Sequence, residues 1–196
     1  MYAGGMGRPS GDAVDPRVAR TRRDVIRSGA ATLLDDGWSA MTHAEVARRS
    51  GYSKATVYAH WPTPLDLMRD AIARICDDAE HPSTTGNLRE DLFASLSRLA
   101  LTLSEGRYDT LMAGVIERAG RDEGARDLRN RLYETATNGI RDILAVHLES
   151  VDVEPSLAML VGAVLVRATY EGKAVDDDFV ADIIHRVLDR IKPASH

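Results

Sequence analysis

Between Thr42 and Trp61 the chain is cut into two short helices hinged at a glycine. Thr42 opens the first, because its hydroxyl can accept from a free backbone N–H while Glu45, three residues on, reaches back to the cap. This helix is predicted over residues 43–50, with Val46 and Ala47 turned inward. Gly51 supplies the permissive backbone of a tight turn, and Tyr52 offers a side chain to wedge between the helices. Ser53 then caps a second helix of about seven residues, 54–60, that ends against Trp61.

The flanking segments carry the same punctuation. Asp15-Pro16 starts a helix predicted over 16–36, in which Val18, Val25, Ile26, Ala30, Leu33 and Leu34 recur at helical spacing and Gly37 ends the last turn. Thr63-Pro64 starts another, continuing through Leu67, Met68, Ala71, Ile72 and Ile75 toward Glu80. Residues 81–87 are polar, with Pro82 and Gly86, and read as a loop and domain joint. Beyond it helices are predicted over 88–105, 109–119, 122–150, 155–171 and 177–191, with no alternating strand pattern of useful length. The expectation is an all-α protein. Residues 1–14 form a disordered lead, 15–62 a three-helix helix-turn-helix unit, 63–80 a linking helix, and 88–192 a helical bundle that dimerises.

Dimerisation is read from the last two helices. From Leu157 to Val166 the residues are apolar or small on every side, including Leu160, Val161 and Val164, so this helix needs cover on all faces. The final helix opens on Asp176, Asp177 and Asp178, which suit the positive end of the helix dipole. It then presents Val180, Ile183, Ile184, Val187, Leu188 and Ile191 along one stripe. Two such helices from each of two copies make a four-helix interface about a two-fold axis. Packing within one chain is the alternative.

Charge is divided along the chain. Residues 1–62 hold nine Arg or Lys against six Asp or Glu, whereas residues 63–196 hold 16 against 24, so a basic leading unit precedes an acidic remainder. A basic unit of this kind suits a polyanionic partner. Cys76 is the one cysteine, which excludes an intrachain disulfide and fits a reducing cytoplasm. No apolar run is long enough to span a bilayer, so no membrane partner is expected. The six histidines, His43, His60, His81, His147, His185 and His196, have no metal-ligand spacing, and neither a nucleophile motif nor a phosphate-cradling glycine loop is present. An enzyme, a metal site and a cofactor are therefore not expected.

The helix after Gly51 has the make-up of a DNA reader. A recognition helix exposes short polar and basic side chains on one face while the other anchors it. Lys54, Thr56, Tyr58 and His60 provide the polar reach, Val57 and Trp61 suit the buried side, and Ala55 and Ala59 permit close approach to a groove. Lysine donates to guanine or phosphate, threonine meets a thymine methyl or phosphate, and tyrosine and histidine donate to phosphate oxygens. Thr42 and Ser53 are helix caps that can also meet phosphates. Arg48 and Arg49 suit either a DNA role or a solvated helix end.

Residues 17 to about 80 resemble the DNA-binding domain of the TetR family of bacterial transcriptional regulators. The resemblance rests on Val25-Ile26, Leu33, Gly37-Trp38, Met41-Thr42, Val46-Ala47, Ser50-Gly51-Tyr52-Ser53, Thr56-Val57-Tyr58, His60-Trp61 and Leu67 at fixed spacing. There are two departures: Pro64 stands where the family usually has a phosphate-binding lysine, and Gly29 where alanine is more usual. The resemblance implies a homodimeric repressor on double-stranded DNA with an inverted-repeat operator, released when a small-molecule effector enters the C-terminal domain, which makes 88–192 the ligand-binding domain as well. Tyr108, Met112, Tyr133, Met159, Arg167 and Tyr170 are candidate pocket residues, although the methionines and tyrosines equally suit a core and Arg167 an ion pair with Glu171. Two alternatives stay open: an effector-independent architectural DNA binder, and a helical partner-binding adaptor with no sequence-specific DNA affinity.

Overall fold

The computed structural model describes residues 15–79, 81–105 and 108–190. The expected lead, 1–14, and Ile191 lie outside them. Nine α-helices follow in chain order among the described residues: α1 (Pro16–Asp36), α2 (His43–Ser50), α3 (Lys54–His60), α4 (Pro64–Asp77), α5 (Leu88–Glu105), α6 (Tyr108–Ala119), α7 (Glu123–His147), α8 (Ser150–Leu165) and α9 (Asp177–Leu188). A 3₁₀ turn, Trp38–Ala40, joins α1 to α2, and a π-helical turn, Val166–Tyr170, extends α8. Among the described residues no helix is long and apolar enough to cross a membrane.

The capping residues act where the sequence puts them. Asp15 accepts from the Arg17 N–H at 2.9 Å, Thr42 from Glu45 at 3.2 Å, and Ser53 from Thr56 at 3.1 Å. Thr63 and Asp66 form a reciprocal capping box at the start of α4. Helices as short as α2 and α3 are marginal in water by themselves, so their persistence depends on packing. Val46, Ala47, Val57 and Trp61 supply it, buried with Val25 and Leu33 of α1 and with Leu67, Met68, Ala71 and Ile72 of α4. Gly29 has a packing role here. A Cβ on it would lie 2.9 Å from Met41 Cε and 3.4 Å from Ala71 Cβ, so the glycine lets Met41 and α4 close against α1.

A second core joins α5, α7, α8 and α9 through Leu92, Leu96, Ile140, Leu144, Leu157, Leu160, Val164, Val180 and Ile184. The cores meet where α6 and the start of α7 press on the N-terminal helices. A Cβ on Gly114 would lie 2.7 Å from Trp38 Cβ, and one on Gly124 2.6 Å from Leu65 Cδ2. The Arg118 guanidinium also lies over the Trp38 ring, 5.1 Å from its centroid.

Several helix ends differ from the sequence expectation, among them that of α9, which stops at Leu188 and not at 191. The long helix predicted over 122–150 ends at His147, where Leu148 turns extended and buries its side chain, and α8 starts at Ser150 instead of 155. Pro155 consequently sits inside α8. The carbonyl it cannot engage belongs to Val151, in the first turn of the helix. The helix beginning at Pro64 stops at Asp77, short of Glu80.

Candidate functional site

The turn between α2 and α3 is fixed by Gly51, whose φ of 76° lies in the left-handed region, and by Tyr52, whose hydroxyl donates to Asp24 of α1 at 3.1 Å. Below the turn, Val57 and Trp61 are fully packed, and Trp61 Nε1 donates to Asp70 of α4 at 2.8 Å. Asp70 also receives Arg22 of α1 at 2.9 Å, and that guanidinium lies over the Trp61 ring. One carboxylate thus ties the end of α3 to α1 and α4.

The opposite face of α3 is open. Lys54, Ala55, Tyr58 and Ala59 are exposed beside the capping Ser53, while Thr56 and His60 are half-buried. The Thr56 hydroxyl shares a 2.8 Å hydrogen bond with Ser53 Oγ, and His60 meets the Trp61 ring edge-on with centroids 5.5 Å apart. Thr42 is exposed at the N-terminus of α2. The structure therefore brings Ser53, Lys54, Ala55 and Tyr58 together on one surface, with Thr56 and His60 partly engaged within the protein.

The arginines at the end of α2 are committed within the fold. Arg48 Nε donates to Glu45 at 2.8 Å, and Arg49 bonds Glu45 at 2.8 Å, Asp35 at 3.1 Å and also Asp36. Hydrogen bonds from Arg48 and then Arg49 hold the Glu45 carboxyl down to about 2. Sequence reading also missed His43. Its ring is buried, with Nε2 2.7 Å from the Trp61 carbonyl oxygen and a stacked contact to Tyr58. No sequence pattern marked it, because a polar first residue of a helix ordinarily faces solvent.

Behind the N-terminal helices lies a partly open cavity of about 110 Å³, lined by the end of α4, residues 81–84, α5, Tyr108 and α7. Ile75, Leu99, Leu132, Ile140 and Ile143 give it aliphatic walls, and Ser95, Arg98, Thr102, Tyr108 and Thr135 add polar groups. Burial pushes the Tyr108 phenol above its usual range. On its outer side a polar depression shares Cys76, His81, Thr135 and Gly139 with the cavity and adds Asp77, Arg131, Asn138 and Asp142.

Of the pocket candidates named from sequence, Tyr108 alone lines this cavity. Met112 is half-buried against the first core instead. Tyr133, Met159 and Tyr170 are 42%, 52% and 87% exposed, on outward helix faces. Arg167 donates to the Ala174 carbonyl at 2.7 Å and covers the Phe179 ring, while Glu171 pairs with Lys173. The cavity's real walls are ordinary aliphatic and small polar residues, and nothing in their types separates them from core.

The interface residues named from sequence are also placed differently. Leu157, Leu160, Val161, Val164, Val180, Ile183, Ile184 and Val187 are buried within the chain's own second core, with Leu188 half-buried against it. From Leu157 onward α8 is apolar or small on all sides, and one side is consumed internally. The side left open carries Val151, Ala158, Met159, Val166 and Tyr170.

Known proteins share both the sequence pattern and the fold. A family model for bacterial regulatory proteins of the tetR family matches residues 25–71, and one for the tetracyclin repressor-like C-terminal domain matches residues 82–187, more than half of the chain. The HTH-type transcriptional regulator YdeS of Bacillus subtilis is 24% identical over 187 residues, covering 92% of this chain and 94% of its own length. Among solved structures, the TetR family regulator SCO0332 is 28% identical with a TM-score of 0.65, covering 89% of this chain and 100% of its own. A transcriptional regulator from Saccharomonospora viridis, solved in complex with choline, shares the fold at 16% identity, with a TM-score of 0.67 and coverage of 90% and 100%. The reader helix, the double match along the chain and these relatives agree: the chain belongs to the TetR family of bacterial transcriptional regulators, DNA-binding proteins that are not enzymes.

Proposed function

We propose that the chain is a homodimeric repressor whose hold on an inverted-repeat operator is released by a small-molecule effector in the cavity between α4, α5 and α7. In this reading residues 15–62 read the duplex, 63–80 link, and 88–192 receive the effector and dimerise. Thr42, Ser53, Lys54, Ala55, Thr56, Tyr58 and His60 form the DNA surface. Pro64 removes one phosphate-binding lysine, so the weight falls on Lys54, Tyr58 and the free N–H groups that open α2.

The observation that carries the reading is the double duty of α4. Its first turns are buried in the core that anchors α3, and Asp70 bonds Trp61 directly, while Ile75 and Cys76 at its far end line the cavity. A ligand that shifts the end of α4 shifts the seat of α3. Release follows if that ligand binds the DNA-free arrangement more tightly, and DNA must then weaken the ligand by the same factor. The choline complex of the Saccharomonospora viridis regulator supports a small organic effector, since that protein has the same fold.

In a symmetric dimer the α3 helices meet half-sites about 34 Å apart, or a multiple of that distance. Footprinting across the chain's own upstream region at moderate salt tests the proposal, with a protected palindrome as the expected result. Equal affinity for scrambled DNA would refute specific recognition. A dimer that binds its palindrome but answers no member of a broad small-molecule panel would favour the effector-independent reading.

A further inference from the structure

His43 combines three properties on one ring. It is the first residue of α2, it is 3% exposed, and it lies between the end of α3 and the side chain most prominent on the reading face. Its Nε2 is 2.7 Å from the carbonyl oxygen of Trp61, the residue that closes α3. A carbonyl only accepts, so that nitrogen carries its hydrogen and satisfies one of the acceptors a helix end leaves open. The face of the ring stacks on Tyr58, with centroids 4.0 Å apart and planes 16° from parallel. Tyr58 is 52% exposed, so the imidazole is a fixed wall on one side of an otherwise open phenol.

From this arrangement we infer that His43 is a positioning residue for operator recognition, acting through Tyr58 without touching DNA itself. A ring so deeply buried cannot reach a phosphate. A tyrosine on a short exposed helix would otherwise sample several rotamers and lose side-chain entropy on meeting the duplex. Stacking removes part of that cost beforehand, and the bond to Trp61 keeps the platform in register with α3. The inference rests on the reading of Tyr58 as a DNA contact.

The test is a double-mutant cycle on the full-length protein, with operator affinity read by fluorescence anisotropy and folding by circular dichroism. His43→Gln keeps a donor but removes the stacking face. It is expected to weaken operator binding about tenfold, an effect that disappears in the Tyr58→Ala background. His43→Phe keeps an aromatic face and is expected to recover part of the lost affinity even though the bond to Trp61 is gone. An equal loss from His43→Gln in both Tyr58 backgrounds would overturn the inference and leave His43 a fold-stabilising residue only. If Tyr58→Ala alone leaves operator affinity unchanged, the contact reading of Tyr58 fails and the inference falls with it, a result distinct from a Tyr58 effect that is merely uncoupled from His43. Should His43→Gln fail to fold, the Phe variant decides by itself: affinity no better than that of Tyr58→Ala overturns the inference.

Discussion

Lys54 stands exposed on the outer face of α3 without an ion pair among the described residues, whereas Arg48 and Arg49 are held by Glu45. Of the basic residues in this unit, Lys54 is thus open to a partner, and Arg48 and Arg49 are spent within the fold. Lys54→Ala should weaken binding to every sequence by a similar factor and reduce the slope of log affinity against log salt by about 1, as measured by titrations at several ionic strengths. Trp61→Phe acts on the seat of the helix instead. It deletes the Nε1 donor to Asp70 and should cost about 1–2 kcal/mol in urea unfolding, with operator affinity falling as α3 loosens. The caps at Thr42, Ser53 and Thr63 were legible in sequence because each is a contact over three residues. The pairing of Arg49 with Asp35 and Asp36, and the stacking of His43 on Tyr58, depend on how α1, α2 and α3 pack, and no local pattern encodes them.

Among the elements, α6 joins the cavity to the reader. Tyr108 at its start lines the cavity, and Gly114 further along touches Trp38 just ahead of α2. Gly114→Ala places a methyl 2.7 Å from the Trp38 Cβ, on a contact with no flexible end to yield. Overpacking of this kind typically costs about 1–3 kcal/mol, and relief requires α6 to back away from the 3₁₀ turn. The expected result is a lowered melting temperature together with an altered operator affinity, measured on one preparation. The loop before α5 is held differently. Asp91 is buried and accepts from the N–H of Thr85 at 2.7 Å, the Thr85 hydroxyl at 2.9 Å and the N–H of Gly86 at 3.0 Å, and these bonds, the Thr85 N–H foremost, hold its carboxyl below the usual range. A carboxylate lowered on folding stabilises above its unfolded value, about pH 4, and the contribution is lost as pH falls through the lower folded value. Urea midpoints from neutral pH down to pH 3 should therefore drop less steeply in Asp91→Asn than in the parent, from a lower starting point. Helix existence was readable throughout from apolar spacing and caps. The break at Leu148 and the π turn at 166–170 were not: Pro155 looks like a helix start in sequence, and no residue type in 166–170 distinguishes a π turn from a continuing α-helix.

At the scale of the whole molecule, the apolar residues of α8 divide between two uses that sequence alone cannot separate. A helix apolar on every side shows that all faces need cover without showing which neighbour covers which. Leu160 is fully buried inside the chain, whereas Met159, one residue away, is 52% exposed in a stripe with Val151, Val166 and Tyr170. If the dimer forms through that stripe, adjacent substitutions must separate folding from association. Leu160→Ala should cost about 2–5 kcal/mol of stability by opening a cavity, and leave the protein dimeric while it remains folded. Met159→Asp should do the reverse. Its carboxylate is solvated in the single chain but desolvated, and set near its symmetry mate, in a two-fold interface. Light scattering should then report a helical monomer, and operator affinity should fall steeply because two half-site contacts no longer act as one. A Met159→Asp protein that stays dimeric with parental affinity would remove this face of α8 from the interface and turn the search to the exposed side of α9, where Ala181 and His185 lie.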